Sequence, residues 1–487
     1  MTIMTPLRHS AAVGTEKWPK SPENWSGAVL AKGRTMGSQR RRQLVITLFV
    51  SLFVAALAIG TYEYVTSAPP GSVEVAVLFP STDTSDWQDF VQAIHLAAEE
   101  KGYRVVDDHS DFTSTVETSG HPIIFRWYPF IGSYRMQKIV RKLCQRKDPP
   151  IAIVGASNSS LTRAIGDEIQ ASSFKDSAPV LLMTYATSDS LININSGRSF
   201  RFGFSNSHQA RAVVTRLREL LHEKESSTNE VRPNVIVTQV LDNPFSIDLA
   251  KQFERELSGE LNGIIIPPVA PFDQGQKSGG MSAAWSLTTA TTEHGDPTAE
   301  ERTLAKEIVS TFAQHPDSPA ILVLPVGSDA FVNIAGEIRM EMRRQEMQTG
   351  KNPIPLLTIV TGDSLDYYEF AGDGIGPITA RQLPGRVLFF SHVNPVDLTI
   401  HPTPNFHCPT IGLDREVARA LIDLIPTLGN APTPAELVAK LGTTKRKESL
   451  IFKNRERVLG GGVVVAKPDV LHDRIEFVMP SAWVNAK

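Results

Sequence analysis

Cysteine is nearly absent from this chain: Cys144 and Cys408 are the only two in 487 residues. That scarcity excludes a disulfide scaffold and a cysteine-ligated metal site, and leaves open one pairing between the two. An excess of positive charge is also missing. The formal net charge is −3 with 21% charged residues, so the electrostatic footprint of a nucleic-acid-binding protein is not there. No Gly-x-Gly-x-x-Gly, phosphate loop or His-Glu-x-x-His occurs, and no cofactor or catalytic metal is predicted. Two His and Cys408 in "HPTPNFHC" (401–408) are loosely spaced and read as a surface loop.

Long apolar runs are absent with one exception. "LVITLFVSLFVAALAIGTY", residues 44–62, contains no charge and follows Arg40, Arg41 and Arg42 directly. As a helix it would reach about 28 Å, enough to cross the hydrocarbon core of a bilayer. Residues 1–42 carry eight Lys and Arg against Glu16 and Glu23, a net of +6, which leaves −9 for the remainder. The basic flank predicts a cytoplasmic N-terminus, and Tyr62 and Tyr64 fit the opposite interface. The expected layout is a disordered basic tail over 1–42, one transmembrane helix over 43–65, and an extracytoplasmic domain over 73–487 attached to the inner membrane. A cleaved signal peptide is the competing reading.

From residue 73 onward, short Val/Ile/Leu runs alternate with amphipathic stretches. "VEVAVLF" (73–79), "PIAIVG" (150–155), "PVLLM" (179–183), "NVIVTQV" (234–240), "PAILVL" (319–324) and "PLLTIV" (355–360) read as buried strands. Helical patterns follow them, as in "SDWQDFVQAIHLAAEE" (85–100) and "SIDLAKQFERELSGE" (246–260). Strands without alternation, separated by helices, predict parallel sheets covered on both faces. There are too many for one sheet of usual size, so two α/β lobes are expected. Residues 268–300 have loop composition and read as an insertion, and after 445 short strands with turns suggest antiparallel pairing. Lobe one is placed at about 73–200 and 386–445, and lobe two at about 201–385 and 446–487.

In open parallel sheets ligands bind beyond the carboxyl ends of the strands. The turns there carry Ser157, Ser159, Ser160, Thr184, Thr187 and Ser188 in the first half of the chain, and Asp363 in the second. Hydroxyls and backbone N–H groups suit a carboxylate, an opposed aspartate suits an ammonium, and Trp87 and Phe245 could close over an apolar side chain of the ligand. Most such hydroxyls at helix starts serve only as caps, and Trp87 can equally pack between helix and sheet.

"VEVAVLFPSTDTSDWQDFVQAIHLAAEEKG", "AIVGASNSSLTRAIGDEI", "PVLLMTYATSDSL" and "FRFGFSNSHQARAV" resemble type I periplasmic binding proteins, the leucine/isoleucine/valine-binding group, over about 73–480. The resemblance implies a two-lobe α/β fold that clamps an amino-acid-like small molecule, is no enzyme, and works with an ABC permease or a receptor. It implies a carboxylate site at Ser159 or Ser160 with Tyr185 and Thr187, an ammonium site at Asp363, and aromatic cover from Trp87. The chain departs from the pattern at Phe245, where an aromatic hydroxyl is expected, and at "VGSD" (326–329), where another aromatic is. These departures point to the second reading, an interaction ectodomain with a disused cleft.

A serine hydrolase is the remaining alternative. "GDSL" (362–365) would make Ser364 the nucleophile, with Asp469 and His472 as its partners. Only about 120 residues follow it, they turn β-rich, and no Gly-x-Asn-Asp block supplies an oxyanion hole. The binding reading is therefore preferred.

Overall fold

The computed structural model describes residues 69, 71–79, 85–156, 158–172, 177–222, 233–241, 243–260, 270–271, 282–287, 296–363, 379–391, 411–443, 445–446, 449–450, 452–453, 455–457, 462–471 and 474–478. All of them belong to one compact unit, Ala68–Lys487. In chain order the elements are β1 (Val73–Leu78), α1 (Ser85–Glu99), β2 (Arg104–Asp108), β3 (Thr113–Glu117), β4 (Ile123–Trp127), α2 (Gly132–Cys144), β5 (Ala152–Gly155), α3 (Ser159–Ser172), β6 (Val180–Met183) and β7 (Ser199–Arg201). Next come α4 (Asn206–His222), β8 (Asn234–Val240), α5 (Pro244–Glu260), β9 (Ala270–Pro271), β10 (Ser282–Leu287), α6 (Ala299–Phe312), β11 (Ala320–Val323), α7 (Ser328–Thr349), β12 (Leu357–Val360) and β13 (Arg386–Ser391). The chain continues through α8 (Ile411–Leu424), α9 (Pro434–Thr443), β14 (Lys445–Arg446), β15 (Ser449–Leu450), β16 (Phe452–Lys453), β17 (Glu456–Arg457), β18 (Gly462–Asp469) and β19 (Arg474–Val478).

The strands form two large sheets, ordered β16-β17-β7-β6-β5-β1-β4-β3-β2 and β19-β18-β13-β12-β11-β8-β10-β9, and a small β14-β15 pair. The interior of each large sheet is parallel, as the near-continuous apolar strands require. Alternate side chains feed opposite faces. Val73, Val75 and Val77 of β1 join a core with Trp87, Phe90, Val417 and Leu421, while Ala76 and Leu78 face Met136, Val140 and Ile165. In β11, Ala320 and Leu322 pack toward α6 and α7, while Ile321 and Val323 pack toward α4 and α5. Each large apolar side chain so buried contributes about 1.5–3 kcal/mol, which makes the four helix-on-sheet layers the main stabilising feature.

The division between sheets differs from the expected one at two places. Residues Arg386–Ser391 lie in the second sheet beside β12, and the short strands at 452–457 join the first sheet through β7. An apolar strand pattern records that both faces are covered, and carries no information about which sheet covers them. Part of the expected insertion is also structural. Ser282–Leu287 pairs in parallel with β8 and buries Ala284, Trp285 and Leu287, and Thr298 closes a capping box with Glu301 at the start of α6. Among the described residues, no helix is long and apolar enough to cross a membrane; the predicted span at 43–65 lies outside them, as do residues 1–42. Cys144 is buried at the end of α2, and Cys408 lies outside the described residues.

Two local devices are testable. Gly155 has φ +135°, and a Cβ there would stand 2.2 Å from the Leu78 carbonyl oxygen on the paired strand. Gly155→Ala should destabilise the domain by about 3 kcal/mol or more, seen as a lower urea midpoint, because neither the backbone angle nor the neighbouring strand can yield. Glu168 on α3 accepts Nε and Nη2 of Arg141 on α2 at 2.8 and 3.1 Å. The Arg141 hydrogen bonds, opposed by desolvation, hold its carboxyl below the usual carboxylate range. Stability from this pair is present above the unfolded carboxylate pKa and is lost as pH falls through the depressed folded value. Glu168→Gln should therefore flatten the fall in stability on acidification below about pH 5, measured by urea titration at a series of pH values.

Candidate functional site

The carboxyl ends of β5 and β6 place two turns side by side in the first lobe. Asn158 caps α3, its Oδ1 accepting the Leu161 N–H at 2.9 Å, which leaves Ser159 as the first helical residue. Ser159 is buried and its hydroxyl accepts the Ser188 N–H at 3.3 Å, while Ser160 is exposed. The serine turn and the Ala-Thr turn are thus tied to each other. Within the second turn, Thr184 and Thr187 are fully buried, and neither hydroxyl has a hydrogen-bond partner among the described residues. A buried hydroxyl without a partner costs about 1–3 kcal/mol, and Thr184 and Thr187 share this feature with other buried groups of the domain, among them Trp127 Nε1 and both side-chain polar atoms of Asn234. Tyr185 is half-buried, its ring 6.2 Å from that of Phe79.

The second lobe contributes the turn after β12. Asp363 is half-buried and donates its backbone N–H to Oε1 of Gln209 at 2.9 Å. Gly362 makes this approach possible, since a Cβ there would lie 2.6 Å from both Gln209 Oε1 and Leu249 Cδ2. Gln209 is fully buried in the first turn of α4 and donates Nε2 to the Phe204 carbonyl. One turn earlier, the Asn206 N–H donates to the Thr187 carbonyl at 2.8 Å. The Thr187 turn of one sheet and the Asp363 turn of the other therefore converge on residues 206–209.

The structure thus brings together Ser159, the Thr187 turn and, through Gln209, the backbone of Asp363, while the Tyr185 ring packs against the first-lobe core. It does not bring Trp87 to this place. Trp87 is buried in the first-lobe core, stacked between Phe90 and Trp127 at centroid distances of 6.2 and 6.3 Å. Phe245, at the start of α5, packs against the second-lobe core. Ser364 and His472 of the hydrolase alternative lie outside the described residues, as does Ser157. Among the described residues no group of three or more His, Cys, Asp or Glu is placed to hold a metal.

Three residues of this junction were not singled out from sequence: Asn206, Gln209 and Asp248. Asn206 and Gln209 interrupt a helix face otherwise built from Ala210, Val213, Val214, Leu217 and Leu220. Polar residues on an apolar stripe are the signal that could have found them. Asp248 on α5 accepts the Asp189 N–H at 3.0 Å and Nδ2 of Asn206 at 2.8 Å, so it spans from the second lobe to the first.

The sequence matches no family model and no curated relative. Among solved structures, the chain is similar to a leucine-binding protein from Thermotoga maritima, with 15% identity, coverage of 85% of this chain and 99% of that one, and a TM-score of 0.54. It is similar to an ABC transporter substrate-binding protein from Desulfitobacterium hafniense in complex with leucine, with 13% identity, coverage of 84% and 100%, and a TM-score of 0.53. A third similar structure is a solute-binding protein of an ABC transporter from Rhodopseudomonas palustris in complex with 3,4-dihydroxybenzoic acid, with 9% identity, coverage of 86% and 98%, and a TM-score of 0.55. At these identities the likeness is one of fold. The domain is built on the two-lobe α/β fold of type I periplasmic binding proteins, the fold of the leucine- and branched-chain amino acid-binding group.

Proposed function

We propose that this chain is a membrane-anchored, extracytoplasmic solute-binding protein for a small carboxylate, an amino acid or a similar polar molecule, and that it is not an enzyme. The observation that carries the reading is the convergence of the Thr187 turn and the Asp363 turn on the first turn of α4. It supports a ligand contacted by both lobes, because each sheet supplies one side. The ligands of the similar structures, leucine and 3,4-dihydroxybenzoic acid, have one group in common, a carboxylate. The buried Thr187 hydroxyl is suited to donate to such a group, and the Asp363 carboxylate to meet an ammonium if the ligand carries one. Binding would favour the closed arrangement of the lobes by contacts that only that arrangement makes. With residues 43–65 as its anchor, the domain would present solute to an ABC permease or a receptor at the inner membrane.

A second reading, an interaction ectodomain whose cleft takes no solute, is favoured by the burial of Trp87 in the core and by the Asp248 contact across the lobes. Calorimetry on the full chain with amino acids and benzoates separates the two. Thr187→Val should weaken any carboxylate ligand by about tenfold, the effect of one buried hydrogen bond, with little change in thermal stability. Asp363→Asn should weaken amino acids by a similar factor and leave benzoates unchanged; equal loss for both classes would remove the ammonium role. No heat with any member of either class supports the second reading.

The anchor has its own test. In membranes washed with alkaline carbonate the chain should stay in the pellet, and a C-terminal alkaline phosphatase fusion should be active. Release of the whole chain into the soluble fraction contradicts an uncleaved span.

A further inference from the structure

Asp248 belongs to the second lobe by packing, because the residues beside it on α5, Leu249, Ala250, Phe253 and Leu257, are sealed into that lobe's core. One of the two hydrogen bonds to its carboxylate nevertheless crosses to the first lobe, and the other comes from the first turn of the neighbouring α4. One Asp248 oxygen, Oδ2, accepts the backbone N–H of Asp189 in the first lobe and Nδ2 of Asn206 at the crossing between lobes. No cation pairs with it among the described residues. An anion held by a backbone N–H across the lobe boundary and by an amide on the neighbouring helix has the donor set a bound carboxylate would have. The adjoining N–H, that of Ser188, is likewise taken from within the chain, by the Ser159 hydroxyl. The Asp189 side chain holds the same region from the other direction, its Oδ1 accepting the N–H and hydroxyl of Ser207.

We propose that the Asp248 carboxylate is a built-in stand-in for a ligand carboxylate. It latches the second lobe to the Ala-Thr turn of the first, and a ligand reaches the Asp189 N–H only by displacing it. The identity of the competitor rests on the solute-binding reading; the latch rests on geometry alone. Such a latch lowers apparent affinity, because ligand binding must first break protein contacts that already hold the lobes together.

Hydrogen exchange on the full chain, followed by mass spectrometry, tests this without any amino acid. In Asp248→Ala, exchange in the segments 186–190 and 206–209 should rise by about ten- to a hundredfold, the range set by loss of hydrogen bonds to a charged group. Added acetate should return protection to the same two segments by filling the vacated position. Should Asp248→Ala fail to fold, Asp248→Asn, which keeps one uncharged acceptor, should show a smaller rise in the same two segments. Exchange unchanged in the variants, or raised evenly along the chain, overturns the latch. A confined rise that acetate does not reverse overturns the stand-in role. A calorimetric panel without heat would remove the solute-binding reading and leave the exchange result intact, so the two failures are distinguishable.

Discussion

Two sheets with no strand pairing between them among the described residues are tied together by the first turn of α4. Asn206 fixes its N–H to the Thr187 carbonyl of the first lobe, and Gln209 accepts the Asp363 N–H of the second. Both side chains are fully buried, so these hydrogen bonds form where water cannot replace them. The apolar stripe of the same helix is committed to the second-lobe core, which makes the first turn of α4 a rigid extension of that lobe.

The junction also explains which glycines matter. Gly362 allows the β12 turn to reach Gln209, and Gly155 allows β5 to close on β1 just before the serine turn. Each is required by a close backbone or side-chain approach, and the Gly155 backbone angle adds a second requirement. The groups that converge are hydroxyls, amides, the Asp248 carboxylate, the backbone of Asp363 and the buried Arg201 guanidinium, which donates to the Ser188 carbonyl.

Much of the fold was legible because its signal is repeated. Runs such as "VEVAVL" and "AILV" have no polar face, and only a sheet covered on both sides buries them. Assignment of strands to sheets was not legible. β13 and the strands at 452–457 look alike in pattern to strands of either lobe, and only long-range pairing separates them. β10 was hidden for a different reason: its Ser282, Ala283 and Ser286 dilute the apolar signal that Trp285 and Leu287 carry. Ser159 and Thr187 lie just beyond the carboxyl ends of β5 and β6, the strand ends that the rule singled out. Trp87, marked as ligand cover by the resemblance, is buried and stacked on Trp127, and an aromatic at a helix start satisfies core packing and ligand cover equally well in sequence. Asp248 was invisible because an aspartate on a helix flank reads as solvated until the opposite lobe is in view.

A crystal structure of the full chain grown with leucine tests the account most directly. The account predicts a ligand whose carboxylate lies within hydrogen-bond reach of the Thr187 hydroxyl and whose ammonium lies beside Asp363, with the backbone bond from Asn206 to the Thr187 carbonyl and the bond from Asp363 to Gln209 intact. Ligand density at any other place, or a first turn of α4 released from either sheet, would contradict it.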